Sequence, residues 1–198
     1  MFTGIIETIG KVVEIKVEGG NKKLTIESDV SNQLKVDQSV SHNGVCLTVV
    51  SINGNQHTID VVAESLSKTN IGALNESDIV NIERCVSANS LMDGHIVQGH
   101  VDEVLTCIAK EAKDGSHIFK FGINAKNAHL LVGRGSVCIN GVSLTIAQLA
   151  EEDFSVAIIP YTYEHTQFKS IKMGSKVNIE YDIVGKYLAR FAQTNFMG

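Results

Sequence analysis

The sequence predicts an all-β protein that consists of two tandem copies of one small barrel. The first observation behind this prediction is an internal repeat, because residues 43–83 align with residues 140–180 at an offset of 97 without a gap. The alignment contains ten identities, and its core is the pair of segments 43–48 and 140–145, Asn-Gly-Val-(Cys or Ser)-Leu-Thr. Such self-similarity is typical of a duplicated structural unit.

The second observation is the pattern of short strands between turn signals. Residues 58–62, 118–123 and 177–181 alternate between apolar and polar side chains at period two or nearly so. Several short strands of this kind favour a barrel or a sandwich. A closed barrel is the better prediction, since an open sheet in so small a unit would leave strand edges exposed.

The repeat also sets the expected domain boundaries. The front of each copy aligns after a shift of two residues, which places residues 4–7 over residues 99–102. We therefore expect one barrel over residues 1–95, a second over 96–186, and a C-terminal helix over 187–198.

Helix signals are few. Residues 124–131 are consistent with a short helix capped by Asn124, and residues 65–74 with one or two helical turns. The C-terminal segment places Tyr187, Leu188 and Phe191 on one face. From the pattern alone, this face packs either on its own barrel or against another subunit.

Composition excludes several classes of partner. The formal net charge is −5 and no basic run occurs, which argues against nucleic acid or an anionic membrane surface. No signal peptide is recognisable and no apolar run is long enough to span a bilayer. Four widely spaced cysteines leave two disulfides possible by count, but reduced thiols in a cytoplasmic protein are favoured. No nucleotide-binding or metal-binding motif is present, so we expect neither cofactor nor metal.

The repeated Asn-Gly-Val-(Cys or Ser)-Leu-Thr segment is the strongest candidate for a binding site. Cys46 and Thr48 are two residues apart on a predicted strand and point to the same face, as do Ser143 and Thr145. A hairpin with solvent-facing threonine is the alternative interpretation. Retention of both polar positions in two diverged copies favours a binding site.

Two further segments have residue types that suit a ligand. His95 and His100 stand five apart among glycines, so on an extended chain they face opposite sides and joint metal ligation is not expected. His100 is the candidate functional residue, with a plain surface strand as the alternative. Residues 158–162 match residues 61–65, where an apolar strand end followed by a hydroxyl suits the rim of a flat heterocycle pocket. An ordinary strand that ends in a turn is the alternative interpretation.

Together these segments resemble the riboflavin synthase family of the alpha-chain type, which has two lumazine-binding repeats. The resemblance covers residues 1–7, 43–48, 94–95, 99–102, 139–145, 159–162 and 177–182 in order, and Gln98 departs from the serine that many members have there. It implies two six-stranded antiparallel Greek-key barrels and a C-terminal helix that assembles a homotrimer. It also implies a cofactor-free dismutation of two 6,7-dimethyl-8-ribityllumazine molecules into riboflavin and 5-amino-6-ribitylaminouracil, with two lumazines per active site between barrels of different subunits.

The resemblance also implies roles for individual residues. Ser143 or His100 would deprotonate the C7 methyl group or activate a nucleophile at C7. The other residues expected at the reacting rings are Cys46, Thr48, Thr145 and Asp182. Further substrate-binding residues implied are Gly4, Ile5, Ile6, Leu47, Asp60, Val61, Val62, Ala63, Glu64, Ser65, Gly99, Val101, Arg134, Leu144, Ile158, Ile159, Pro160, Tyr161, Thr162 and Tyr163. The main alternative is a non-catalytic lumazine- or flavin-binding protein of the same fold, and a more distant one is an oligonucleotide-binding barrel.

Overall fold

A computed structural model describes residues 1–195 and confirms two closed barrels of six antiparallel strands each. The spatial orders β1-β2-β5-β4-β3-β6 and β7-β8-β11-β10-β9-β12 are the same Greek-key arrangement twice. The first barrel consists of β1 (Thr8–Glu18), β2 (Asn21–Glu27), β3 (Ser39–His42), β4 (Val45–Asn53), β5 (Gln56–Val61) and β6 (Ile79–Arg84). The second consists of β7 (Glu103–Lys113), β8 (Ser116–Gly122), β9 (Ser136–Ile139), β10 (Val142–Leu149), β11 (Asp153–Ile158) and β12 (Lys176–Tyr181).

Each barrel encloses its own apolar core because alternate side chains of every strand point inward. Along β4, for example, Val45, Leu47 and Val49 are buried while Thr48 is exposed. Phe119 and Phe154 fill the second core. The equivalent positions in the first barrel are Leu24 and His57.

The short helices follow the strands that carry the predicted site. Helix α1 (Ala63–Lys68) follows β5, and a 3₁₀ turn at Asn70–Ala73 comes next, which confirms the helical turns predicted within 65–74. Helix α2 (Pro160–His165) occupies the same place after β11 and starts with proline, whose fixed φ suits a first helical position.

The prediction of a helix over residues 124–131 is wrong. Only a 3₁₀ turn at Ala128–Leu130 forms there. The side chain of Asn124 accepts a hydrogen bond from the Lys126 amide, which makes a local turn in place of a helix cap.

Helix α3 (Ile183–Asn195) begins before the predicted residue 187, and residues 196–198 of the predicted helix lie outside the described residues. The earlier start follows from Asp182, whose carboxylate accepts a hydrogen bond from the Val184 amide at 3.0 Å. Aspartate is a favourable residue at a helix N-terminus because it satisfies an otherwise unpaired amide.

The two barrels are related by an approximate two-fold axis. Phe2 and Val97 are equivalent in the two repeats and exchange backbone hydrogen bonds with each other, at 2.7 and 3.1 Å. Gly44 and Gly141 are also equivalent, and a Cβ atom on Gly44 would lie 2.7 Å from the Gly141 amide nitrogen. At the first place the two main chains pair directly. At the second, the main chains approach so closely that only glycine fits.

Four buried asparagines hydrogen-bond across this axis. Asn81 donates its amide to the Asn43 side chain and its Nδ2 to the Asn140 carbonyl, both at 2.8 Å. In the mirrored arrangement, Asn178 donates its amide to the Asn140 side chain at 2.7 Å and its Nδ2 to the Asn43 carbonyl at 2.8 Å. The repeated Asn-Gly and Val-Asn-Ile-Glu segments of the sequence are therefore joined in one network between the barrels.

The hydrogen-bond network differs between the two barrels at the side chains of Asn140 and Asn43. Gln167 accepts a hydrogen bond from Asn140 Nδ2 at 2.7 Å and donates one to the Ile79 carbonyl at 2.8 Å. Asn70 stands at the equivalent position and is one methylene shorter. Its side chain donates to Asn140 Oδ1 at 3.0 Å and accepts from Asn178 Nδ2 at 2.8 Å, and it does not reach Asn43. Asn43 Nδ2 is consequently buried with no hydrogen-bond partner among residues 1–195.

We predict that Asn70→Gln stabilises the protein by about 1 kcal/mol, because the longer amide would accept the unpaired Asn43 donor. Urea unfolding followed by circular dichroism measures this change. The reverse substitution Gln167→Asn is the matched control and is expected to destabilise the protein, since it would leave Asn140 Nδ2 without its acceptor. Unchanged stability in both variants would contradict the assignment.

The first barrel contains a buried histidine pair that the second lacks. His42 and His57 lie with their Nε2 atoms 2.8 Å apart, and Ser31 Oγ is 2.8 Å from His57 Nδ1. Burial lowers the pKa of His57 from 6.5 to about 4, and burial together with the neighbouring His57 lowers the pKa of His42 well below 6.5. The equivalent residues in the second barrel are Ile139 and Phe154.

We predict that folding stability falls as the pH decreases from about 6.5 to about 4. The unfolded chain binds more protons in this range because the folded pKa values of His42 and His57 are depressed. The pKa shift of His57 alone lowers the free energy of unfolding by about 3 kcal/mol at the acidic end of the range. The variant with His42→Ile and His57→Phe should lose most of this dependence in urea unfolding between pH 4 and 7. The exposed His165→Gln is the control and should retain it.

Candidate functional site

The repeated polar pairs lie on the outer surfaces of the two barrels, as the strand pattern predicts. Cys46 is half-buried and Thr48 exposed on β4, and Ser143 is half-buried and Thr145 exposed on β10. Each pair faces away from the core of its own barrel. The two surfaces are therefore available to ligands without opening either barrel.

A cleft of about 330 Å³ covers this surface of the second barrel. The structure brings seven of the predicted residues together in its lining, and Ala147 and Ala157 complete it. The seven are Arg134, Ser143, Leu144, Thr145, Ile158, Ile159 and Thr162. An apolar cleft with a few hydroxyls and one cation has the character of a small-molecule site.

Three predicted residues of helix α2 do not line this cleft. Pro160 is the first residue of the helix and is exposed. Tyr161 stacks on His165 at a ring-centroid distance of 4.1 Å, and Tyr163 stacks on His117 at 3.6 Å.

The front segment of each repeat lies against the polar strand of the other repeat. The Ser143 amide donates to the Gly4 carbonyl at 2.7 Å, and the Cys46 amide donates to the Gly99 carbonyl at 2.9 Å. Both glycines have positive φ, 77° and 82°, and a Cβ atom on Gly99 would lie 2.5 Å from Cys46 Cβ. Sequence reasoning selected these glycines but did not predict that they cross to the other barrel.

The residues that follow these glycines also contact the barrel of the other repeat. Ile6 packs against the core of the second barrel, whereas its equivalent, Val101, packs against the core of the first. Ile5 is exposed.

Two buried glutamates hold the crossed segments in place. Glu83 accepts hydrogen bonds from the amides of Thr3 and Gly4 at 2.7 and 3.0 Å. Glu180 accepts three, from the amides of residues 98–100, at 2.6 to 2.9 Å. Burial raises the pKa of both carboxyl groups, and the backbone donors partly oppose this. The last residue of each Val-Asn-Ile-Glu repeat therefore positions the glycine loop that touches a candidate site.

The structure brings His95, and not His100, into contact with Ser143. His95 Nδ1 lies 2.7 Å from Ser143 Oγ. The His100 side chain is exposed, and its imidazole has no hydrogen bond to any residue in the described part of the chain. The sequence pattern showed that the two histidines face opposite sides. It did not show which side faces Ser143, because that depends on the pairing of residues 95–97 with residues 2–3.

Asp182 is close to this histidine. Burial lowers the pKa of His95, and the negative charge of Asp182 opposes that shift. The same carboxylate accepts the hydrogen bond from the Val184 amide at the start of helix α3.

The corresponding surface of the first barrel has different chemistry. Burial raises the pKa of the Cys46 thiol, and no imidazole among residues 1–195 hydrogen-bonds it. At the offset of 97, Asp37 replaces Arg134 and Asp60 replaces Ala157. The other predicted residues of this surface are the buried Leu47 and Val61, the exposed Val62, Ala63 and Glu64, and the half-buried Ser65. Glu64 forms an ion pair with Lys68 at 2.7 Å.

All four cysteines are free, so the alternative of two disulfides is not realised. Within residues 1–195 no group of three or more potential ligands is placed to hold a metal ion. In the same described range, no helix has the length and apolar character needed to cross a membrane.

Comparisons with known proteins give the family. The model of the lumazine binding domain matches residues 3–85 and again residues 98–182. The chain is 40% identical to "Riboflavin synthase" of Actinobacillus pleuropneumoniae over 192 residues, 96% of this chain and 89% of the relative. It is 38% identical to that of Bacillus subtilis over the same shares, and 32% identical to that of Schizosaccharomyces pombe over 98% of this chain and 95% of the relative.

Solved structures agree on the fold. LumP complexed with riboflavin superposes with a TM-score of 0.86 at 22% identity, covering 91% of this chain and 99% of that chain. LumP complexed with 6,7-dimethyl-8-(1'-D-ribityl) lumazine gives a TM-score of 0.83 at the same identity, covering 91% and 98%. With two matches that span most of the sequence and relatives well above 30% identity, the chain belongs to the lumazine-binding domain family.

Proposed function

We propose that this protein is a riboflavin synthase, which converts two molecules of 6,7-dimethyl-8-ribityllumazine into riboflavin and 5-amino-6-ribitylaminouracil. Curated relatives with that name align over nearly the whole chain. The structural observation that carries the proposal is the paired site. The same Asn-Gly-Val-(Cys or Ser)-Leu-Thr strand occurs on both barrels, and each copy is closed by the glycine loop of the other repeat. A reaction between two identical molecules needs two related sites of this kind.

The chemistry matches the residue types available. The C7 methyl group of the lumazine is acidic because the carbanion delocalises into the ring. One lumazine donates a four-carbon unit to the other, so the atoms of two substrates equal those of the two products and no co-reactant is needed. The protein contributes alignment of two rings and proton transfer. Hydroxyls, a thiol and an imidazole are sufficient for these tasks.

The cleft of the second barrel is the better defined of the two proposed binding sites. Leu144 and Ile158 offer apolar contact to a ring, while Thr145, Thr162 and Arg134 offer polar groups at its edge. Ser143 lies within the cleft and contacts His95. We assign proton transfer to Ser143 and His95, and we assign no proton-transfer role to the exposed His100.

The second candidate function is ligand binding without turnover. It is supported by the fold similarity to LumP, whose structures contain lumazine, riboflavin or flavin mononucleotide. One experiment separates the two candidates.

We predict that purified protein incubated with 6,7-dimethyl-8-ribityllumazine alone produces riboflavin absorbance and one equivalent of 5-amino-6-ribitylaminouracil for each riboflavin. Ser143→Ala should lower the rate at least tenfold while riboflavin binding, measured by fluorescence, is retained. Tight lumazine binding with no new absorbance would contradict the enzyme and support the second candidate.

The proposal includes a homotrimer assembled through helix α3. The helix leaves Val184, Tyr187, Leu188 and Phe191 exposed on one side, at the i, i+3, i+4, i+7 spacing of an apolar stripe. An apolar stripe of this kind marks an interaction surface. In such an assembly, the active site would form between the first barrel of one subunit and the second barrel of another. Four free cysteines support a reducing, cytoplasmic location.

We predict that Leu188→Arg converts the trimer into monomers and abolishes riboflavin formation, because it places a charge within the apolar stripe. Analytical ultracentrifugation measures the mass. Gln193→Arg, on the opposite side of the same helix, is the matched control and should remain trimeric and active. A wild-type protein that sediments as a monomer would contradict the assembly.

A further inference from the structure

Ser143 and His95 form a hydrogen-bonded pair that can move a proton out of the second-barrel cleft. When His95 Nδ1 is unprotonated, it accepts the Ser143 hydroxyl proton over the observed 2.7 Å. Removal of a C7 methyl proton then takes two proton transfers, one to Ser143 and one from Ser143 to His95. The C–H bond breaks and its electron pair enters the ring, the proton passes to Ser143 Oγ, and the hydroxyl proton passes to His95. The imidazolium that results lies near the negative charge of Asp182.

His95 is held rigidly for this transfer. Its amide donates to the Thr3 carbonyl at 3.1 Å. The preceding residue, Gly94, packs so closely that a Cβ atom there would lie 2.0 Å from the Thr3 oxygen and 2.9 Å from Ser143 Cβ. A proton-transfer pair fixed by the main chain loses little freedom when the substrate binds.

A cation lies on the same cleft. Arg134 lines it, and its guanidinium forms no ion pair with any residue in the 1–195 range. Its backbone is fixed in the left-handed region at φ 69°, with the amide donating to the Ile146 carbonyl at 3.1 Å. A positive charge beside the ring favours the anion over the neutral lumazine.

The first barrel lacks both the hydroxyl–imidazole pair and the cation. Cys46 replaces Ser143, and burial raises the pKa of its thiol, which therefore stays protonated at neutral pH. No imidazole in the described chain hydrogen-bonds it. Asp37 stands where the second barrel has Arg134, so a carboxylate replaces the cation, whereas Asp60, which replaces Ala157, is the cross-strand neighbour of Lys23. The exchange of Arg134 for Asp37 disfavours a negatively charged ring on this surface.

We propose that the two barrels divide the reaction: the second barrel binds the lumazine that loses its C7 methyl proton, and the first barrel binds the lumazine that stays neutral. His95 is the base that takes the proton through Ser143, and Arg134 stabilises the anion. The inference rests on the proposed dismutation and adds which site generates the carbanion.

The test separates deprotonation from product formation by measuring two rates on the full-length protein. Exchange of the C7 methyl protons of 6,7-dimethyl-8-ribityllumazine with D₂O is followed by mass spectrometry, and riboflavin formation by absorbance. We expect His95→Gln and Arg134→Gln to lower enzyme-dependent exchange at least tenfold. Arg134→Lys should restore most of it, because the charge is kept. Cys46→Ala should lower riboflavin formation tenfold but exchange less than threefold.

The pH profile and a surface control complete the experiment. Wild-type exchange should decrease at acidic pH as His95 becomes protonated, and this acidic limb should be absent in His95→Gln. Lys113→Gln, which removes a charge from the exposed β7–β8 hairpin, should leave both rates unchanged. Riboflavin binding by fluorescence verifies that each variant is folded.

Two results would overturn the inference. The division is wrong if Cys46→Ala reduces exchange as much as His95→Gln does, or if His95→Gln keeps the wild-type exchange rate and pH profile while riboflavin is formed. A wild-type protein that gives neither exchange nor riboflavin would instead reject the proposed function itself.

Discussion

Four asparagines hydrogen-bonded across an approximate two-fold axis join the barrels, and the geometry of both candidate sites depends on that junction. Each of Asn81 and Asn178 links a side chain of its own barrel to a carbonyl of the other. Buried amides are costly unless they are paired, so this network admits essentially one relative placement of the two units. Gly44 and Gly141 allow the required approach because neither has a Cβ atom.

That fixed placement makes the exchange of front segments possible. Residues 3–4 and 98–100 are anchored by the buried carboxylates of Glu83 and Glu180, and they deliver Gly4 to Ser143 and Gly99 to Cys46. Neither barrel would have a complete site without the other repeat. The duplication thus produces two interlocked sites, and the same interlocking brings His95 to Ser143.

The scaffold is symmetric while the chemistry is not. The asparagines and the glutamates that hold the barrels and loops are the same in both repeats. The differences between the repeats include residues of the candidate sites: Cys46 against Ser143, Asp37 against Arg134, and Asp60 against Ala157. The histidine pair inside the first barrel is a further difference, confined to the core. Two related but unequal sites suit a reaction in which one of two identical molecules loses a proton and the other does not.

The sequence by itself determined the duplication, the barrel class, and the polar strand faces of Cys46 and Ser143, because period-two alternation and repeated motifs are local properties. The strand pattern and the family resemblance together also selected most of the residues that line the second cleft. Local pattern was insufficient where a competing contact decided the outcome. Asn124 caps a turn and not a helix, and Asp182 starts helix α3 before residue 187. Only the tertiary structure decided that the front segments cross between barrels and that His95, rather than His100, reaches Ser143. Those contacts join residues 48 or more positions apart, and their geometry arises from the packing of one barrel on the other.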